Sequence, residues 1–185
     1  DYDQLRLIEF MGGQSLWHDE KLPFEVQYLH PGFLLDKRVR LNEVRGSTAR
    51  PIPFRREYFN YRSVKSGDIP PDLGFAGFRL MFPFGGPGTP HNEIGSFAGA
   101  SYFRFLCAGS AYGLSARGLA LNTWEPEGEE FPVFTEFWLV RPQPGQAVTL
   151  GLNERRPSDC RISRAITTSC VRASPGCGVS DTRIV

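Results

Sequence analysis

Tyrosine, arginine and small residues are interleaved in two neighbouring stretches, Gly99-Ala-Ser-Tyr-Phe-Arg104 and Tyr112-Gly-Leu-Ser-Ala-Arg-Gly-Leu-Ala120. Gly, Ala and Ser let a backbone come close to another group, while Tyr and Arg offer hydrogen bonds to oxygen. Tyr102, Arg104, Tyr112 and Arg117 are therefore suited to holding a polar, oxygen-rich ligand, and a sugar is one. An arginine fork either fixes a carboxylate or donates to hydroxyls. The apolar neighbours of Arg104 and Arg117 predict burial or pairing, and leave structural pairing and ligand contact both open. Tyr102 and Arg104 share strand parity and Phe103 has the other, so the pair and Phe103 face opposite ways.

Cutting a glycosidic bond takes two carboxyl groups, one to protonate the leaving oxygen and one to activate water or attack. The candidates are Glu93, Glu129, Glu130 and Glu136. Glu129 and Glu130 are adjacent, so on extended backbone only one can face a given cleft; Glu130 is the one assigned to the ligand. Glu136 alternates with Phe134 and Trp138, which predicts one shared face, a carboxylate between aromatic platforms. The plainer alternatives are solvated loop charges for Glu129 and Glu130 and an edge residue for Glu136. His30 precedes a Pro-Gly turn and reads as turn-stabilising rather than catalytic.

Other chemistries lack their residues. Gly113-Leu-Ser-Ala-Arg117 has Arg where a nucleophile elbow needs its second Gly, and no histidine follows Ser115. Gly85-Gly-Pro-Gly88 lacks the Lys and Ser/Thr of a phosphate loop. Cys107 reads as a buried thiol, and Cys160, Cys170 and Cys177 match no zinc spacing. No metal and no cofactor are expected. A net charge of +1 provides no field for nucleic acid or a membrane surface.

The elements that must position these residues are strands. Aromatics make up 13% of the chain, with 20 Gly and 15 Pro, as short strands joined by tight turns require. Period-two alternation predicts strands at Phe24 to His30, around Val39 and Leu41, at Phe75 to Phe82 and at Val133 to Val140. Ala100 to Cys107 and Ala111 to Leu121 predict a hairpin. Helix signals are poor; Ser15 to Lys21 predicts one or two turns capped by Ser15. The fold class is all-β, a β-sandwich or related layered sheet. From Leu139 to Val185 there is no Phe, Tyr or Trp. Such a segment offsets its ordering entropy poorly, so residues 151–185 are expected to be a disordered or out-of-frame tail. The chain opens Asp-Tyr-Asp with neither a basic start nor an apolar stretch, which predicts a removed leader or an internal piece.

Five blocks occur in order: Gly74-Phe-Ala-Gly-Phe-Arg79, Gly99-Ala-Ser-Tyr-Phe-Arg104, Tyr112-Gly-Leu-Ser-Ala-Arg-Gly-Leu-Ala120, Gly128-Glu-Glu-Phe-Pro132 and Phe134-Thr-Glu-Phe-Trp138. Together they resemble the periplasmic glucan biosynthesis protein family, the glucans biosynthesis proteins G and D of osmoregulated periplasmic glucans. The resemblance covers residues 2 to 150. It implies the N-terminal part of a large, galactose-mutarotase-like β-sandwich, incomplete here and followed in full-length members by an immunoglobulin-like domain. It also implies a periplasmic location and a β-glucan partner, β-1,2-linked in the backbone. Some relatives resemble β-1,2-glucan hydrolases, with catalytic acids beyond the aligned stretch, so this chain is expected not to cut. The family's Gly-Ala-Tyr-Arg-Phe motif has no echo after Ala147-Val-Thr-Leu150, which predicts a frameshift or truncation near residue 154. Val140 stands where the family carries an acid in Phe137-Trp-Leu-Val-Arg-Pro142, and Asn122 where it carries Asp.

Overall fold

The computed structural model describes residues 2–184 except 65–66, 68, 87, 99–101, 107–112, 118–120, 144–147, 156–160 and 171–181. The fold is all-β. The described residues hold one short helix, α1 (Tyr2–Arg6), and a two-stranded ribbon of β1 (Glu9–Phe10) and β5 (Phe59–Asn60). A five-stranded sheet runs in the order β2 (Glu25–Leu29), β6 (Gly77–Phe82), β7 (Asn92–Ala98), β8 (Tyr102–Phe105), β9 (Leu114–Arg117). A six-stranded sheet runs β13 (Thr182–Ile184), β12 (Arg161–Cys170), β11 (Val148–Arg155), β10 (Val133–Val140), β3 (Arg40–Arg45), β4 (Thr48–Pro51). Among the described residues every strand pairing is antiparallel except β3 with β10, which is parallel.

Alternation packs the two sheets together. Phe78, Phe97 and Phe103 of the five-stranded sheet face inward, as do Leu41, Phe137, Leu139, Leu150 and Leu152 of the six-stranded one, and all are buried. Their rings meet across the core: Phe78 stands edge-on to Phe137 at 5.0 Å and Phe97 to Phe137 at 5.5 Å. Such pairs add about 0.5–1.5 kcal/mol each beyond area burial. A second ring cluster, Phe10, Tyr28, Phe54, Tyr58, Phe59 and Phe75, closes one end. The other end is closed by charge. The Glu20 carboxylate accepts from Arg45 and Arg141, both at 2.5 Å, and Glu43 accepts from Arg45 Nε and Trp17 Nε1 at 2.9 and 2.7 Å.

Two local expectations fail. No helix runs from Ser15 to Lys21. A 3-10 turn at Gly12–Gln14 ends at Ser15, whose hydroxyl donates back to the Gly12 carbonyl at 2.6 Å. Leu16 then bridges to Val26, and Trp17 and Lys21 take positive φ, which no α-helix admits. Phe134 does not share a face with Glu136 and Trp138. The β10–β11 register shifts between Phe134 and Glu136, so one extra residue turns Phe134 inward beside Phe137, 4.9 Å between ring centroids.

Candidate functional site

Cross-strand register assembles the site. On the outer face of the five-stranded sheet, Gln27 pairs with Arg79, Arg79 with Ser96, Ser96 with Arg104 and Arg104 with Ser115. The inward neighbours on either side are apolar, so each of these polar side chains is the outward member of its strand. The result is a straight polar row across all five strands, with one side chain every ~4.8 Å. The adjacent outward row reads Leu29, Gly77, Ala98, Tyr102, with Arg117 as the register partner of Tyr102. Its centre is small of necessity: a Cβ on Gly77 would lie 1.9 Å from the Phe97 carbonyl oxygen. Gly77 and Ala98 thus form a low strip, the trough, running beside Arg79, Ser96 and Arg104 and ending at Tyr102.

Tyr102 is 40% exposed, and its hydroxyl lies 2.8 Å from the Ser115 hydroxyl, diagonally across β8 and β9. Arg104 is exposed, not buried, and has no carboxylate partner among the described residues. Its Nε passes 2.7 Å from where a Cβ on Gly113 would sit, so Gly113 makes room for the guanidinium stem. Arg79 Nε is 3.5 Å from Glu93. At the β2 end of this face Glu25 is buried. It accepts from His18 Nδ1 at 2.9 Å, with His91 Nε2 at 3.7 Å. The carboxylates of the face are thus engaged, Tyr102 and Ser115 share a hydrogen bond, and the Arg104 guanidinium has no carboxylate partner among the described residues.

The other predicted residues lie elsewhere. Glu136 and Trp138 point outward from the six-stranded sheet, so the sandwich core separates them from Tyr102 and Arg104. Glu136 is spent on its own sheet: it accepts from Arg40 at 2.9 Å and from Asn42 Nδ2 at 3.0 Å, tying β10 to the parallel β3. Trp138 is half-buried, its indole lying over Gly151, where a Cβ would come within 3.6 Å of the ring. Glu130 bridges to Leu121 in the connection between β9 and β10. Arg117 is the register partner of Tyr102, and its side chain, like all of Tyr112, lies outside the described residues. Sequence reading missed Gln27, Arg79, Ser96 and Ser115. Each shows as a polar residue between apolar ones, but only register shows that they align.

His30 sits off the sheet. Its Nδ1 donates to the Pro31 carbonyl at 2.6 Å, stabilising the turn, and the rings of Phe54, Phe59 and Tyr61 stand edge-on to it. Burial there pulls its pKa below the ordinary histidine value, against the opposing bond to Pro31. Burial pushes the Glu20 carboxyl up, but the hydrogen bonds from Arg141 and Arg45 outweigh it and hold the pKa below the usual carboxylate value.

The arrangement defines an all-β, two-sheet protein with a polar trough on one outer face. The family model described as "Periplasmic glucan biosynthesis protein, MdoG" matches residues 1–151, and the chain belongs to that family. It is 47% identical over 144 residues to the Glucans biosynthesis protein G of Bradyrhizobium diazoefficiens, 45% over 148 residues to that of Rhodopseudomonas palustris and 44% over 145 residues to that of Dickeya dadantii. Each match takes in 78% of this chain and 27–28% of the relative, so the chain spans little more than a quarter of the proteins it resembles. Among the described residues no helix is long and apolar enough to cross a membrane.

Proposed function

We propose that this chain is a glucan-holding part of a periplasmic glucan biosynthesis protein, and that the trough on the five-stranded sheet is where it holds a β-1,2-linked backbone. The observation that carries this is the aligned row Gln27, Arg79, Ser96, Arg104 and Ser115. Its spacing is close to the width of a pyranose ring, its floor is small, and its free groups donate to hydroxyls. Tyr102 supplies the ring on which a sugar C–H face stacks. Residues 151–185 are proposed to be out of the family's reading frame, because the match ends at residue 151, close to where aromatics stop.

Calorimetric titration with linear β-1,2-glucan tests the reading. Saturable binding is expected, weakened about tenfold to a hundredfold by Arg104→Ala, the size of a lost charge-assisted hydrogen bond, and about tenfold by Tyr102→Ala. Trp138→Ala on the opposite face is expected to change nothing. A second reading rests on Trp138, whose half-buried indole beside Glu136 is a platform of its own; loss of binding in that variant alone would move the site there. No binding at all would leave a non-functional piece.

A further inference from the structure

A cavity of about 440 Å³ lies where the polar row meets the edge of its sheet, between α1 and β2. That volume falls within the range of small-molecule pockets, about 300–1,000 Å³. Gln27 and Arg79, the first two members of the row, also line it. From there it turns around β2 toward the rings of Phe10 and Phe59, with Arg6 and His30 as further polar lining. Leu5 and Ile8, in and just beyond α1, wall it off. The wall is tight: a Cβ on Gly32 would come 3.1 Å from Leu5. A ligand laid along the row therefore meets a half-open, partly aromatic pocket at the β2 end, walled on one side by Leu5 and Ile8.

We infer that this cavity is the terminal subsite of the trough and takes the end unit of a saccharide chain; the inference rests on the glucan reading above. Rings on one side and Arg6, Gln27 and Arg79 on the other suit a single hexose, whose faces are apolar and whose rim is polar. The subsite binds without cutting. The carboxylate that lines it, Glu9, is held by Arg62 at 2.5 Å, and hydrolysis needs a second acid across the bond. The consequence is preference for a chain with a free end over one without.

The test is titration of the full 185-residue chain with linear and with cyclic β-1,2-glucan of similar size. Linear glucan is expected to bind at least about tenfold tighter. Arg6→Ala, at an exposed position, is expected to lower the affinity for linear glucan by about tenfold and to leave cyclic glucan unchanged. Leu35→Trp, which narrows the cavity, is expected to do the same, with thermal melts confirming that both variants fold. Equal binding of linear and cyclic glucan, or equal weakening of both by Arg6→Ala, would overturn the inference and leave the trough standing. Absence of binding to either would remove both.

Discussion

His30 and Gly77 show how much a single position carries in this sandwich. The neutral imidazole of His30 suits its ring-lined site, and burial holds its pKa below the ordinary value. The unfolded chain then takes up the proton more readily than the folded one. This contribution to stability is complete above the unfolded pKa of about 6.5 and is lost as pH falls through it toward the folded value. Melting temperature is expected to drop between about pH 7.5 and about pH 5, and His30→Phe, which keeps the ring packing, to flatten that dependence. Equal slopes in the two proteins would refute it. Gly77→Ala is a harsher change. Its methyl would collide with the Phe97 carbonyl, and because the obstacle is backbone, neither side can yield cheaply. A loss of about 3 kcal/mol or more is expected in denaturant melts. The sequence carried the Gly77 position inside a matched block, but not its reason, since the carbonyl belongs to a neighbouring strand.

At the level of strands, Val133–Val140 is legible to the residue, because bulky apolar and polar groups alternate and Pro142 stops the run. The pairing of β8 with β9 was readable too, though the described strands are shorter than the Ala100 to Cys107 and Ala111 to Leu121 expected, whose ends lie partly outside the described residues; Phe103 faces the core while Tyr102 and Arg104 face out. What period two could not register is the extra residue at the β10 bulge, which sends Phe134 to the side opposite Glu136. Nor does a linear pattern reveal that β10 lies parallel to β3, a pairing that consumes the Glu136 carboxylate. Asn42 is the hinge pin of that pairing: buried, it donates to Glu136 at 3.0 Å and to the Phe137 carbonyl at 3.1 Å. Asn42→Ala is expected to cost about 1–3 kcal/mol, as leaving buried acceptors unpaired does. A stability unchanged by that substitution would mean water replaces the amide.

Across the whole molecule, the candidate site was half visible. Tyr102 and Arg104 fall on one outer face and Glu136 and Trp138 on the other, because side-chain chemistry names a ligand class while sheet membership decides which residues meet. The trough's described carboxylates, Glu25 and Glu93, are occupied by histidine and arginine partners. Among the described residues of that face, no two carboxylates stand without a partner, whereas hydrolysis takes two. The purified chain is therefore expected to release no reducing ends from β-1,2-glucan, and measurable turnover would reverse that conclusion. Sequencing the gene around codon 154 is expected to reveal the family's Gly-Ala-Tyr-Arg-Phe motif in a neighbouring frame; its absence from all frames would make the aromatic-free tail genuine.

The parallel partnership of β3 and β10 also sets a timetable. Arg40 and Glu136 are 96 positions apart, which at about 5–20 residues per second is roughly five to twenty seconds of translation. In that interval Arg40 to Pro51 is a bare two-stranded hairpin, marginal in water by itself. Leu41 lacks β10 and its register partner Phe137 on its other side until the ribosome has delivered nearly the whole family region. Non-local closure of this kind is slow, so the nascent chain stays pliable long after its first strands exist.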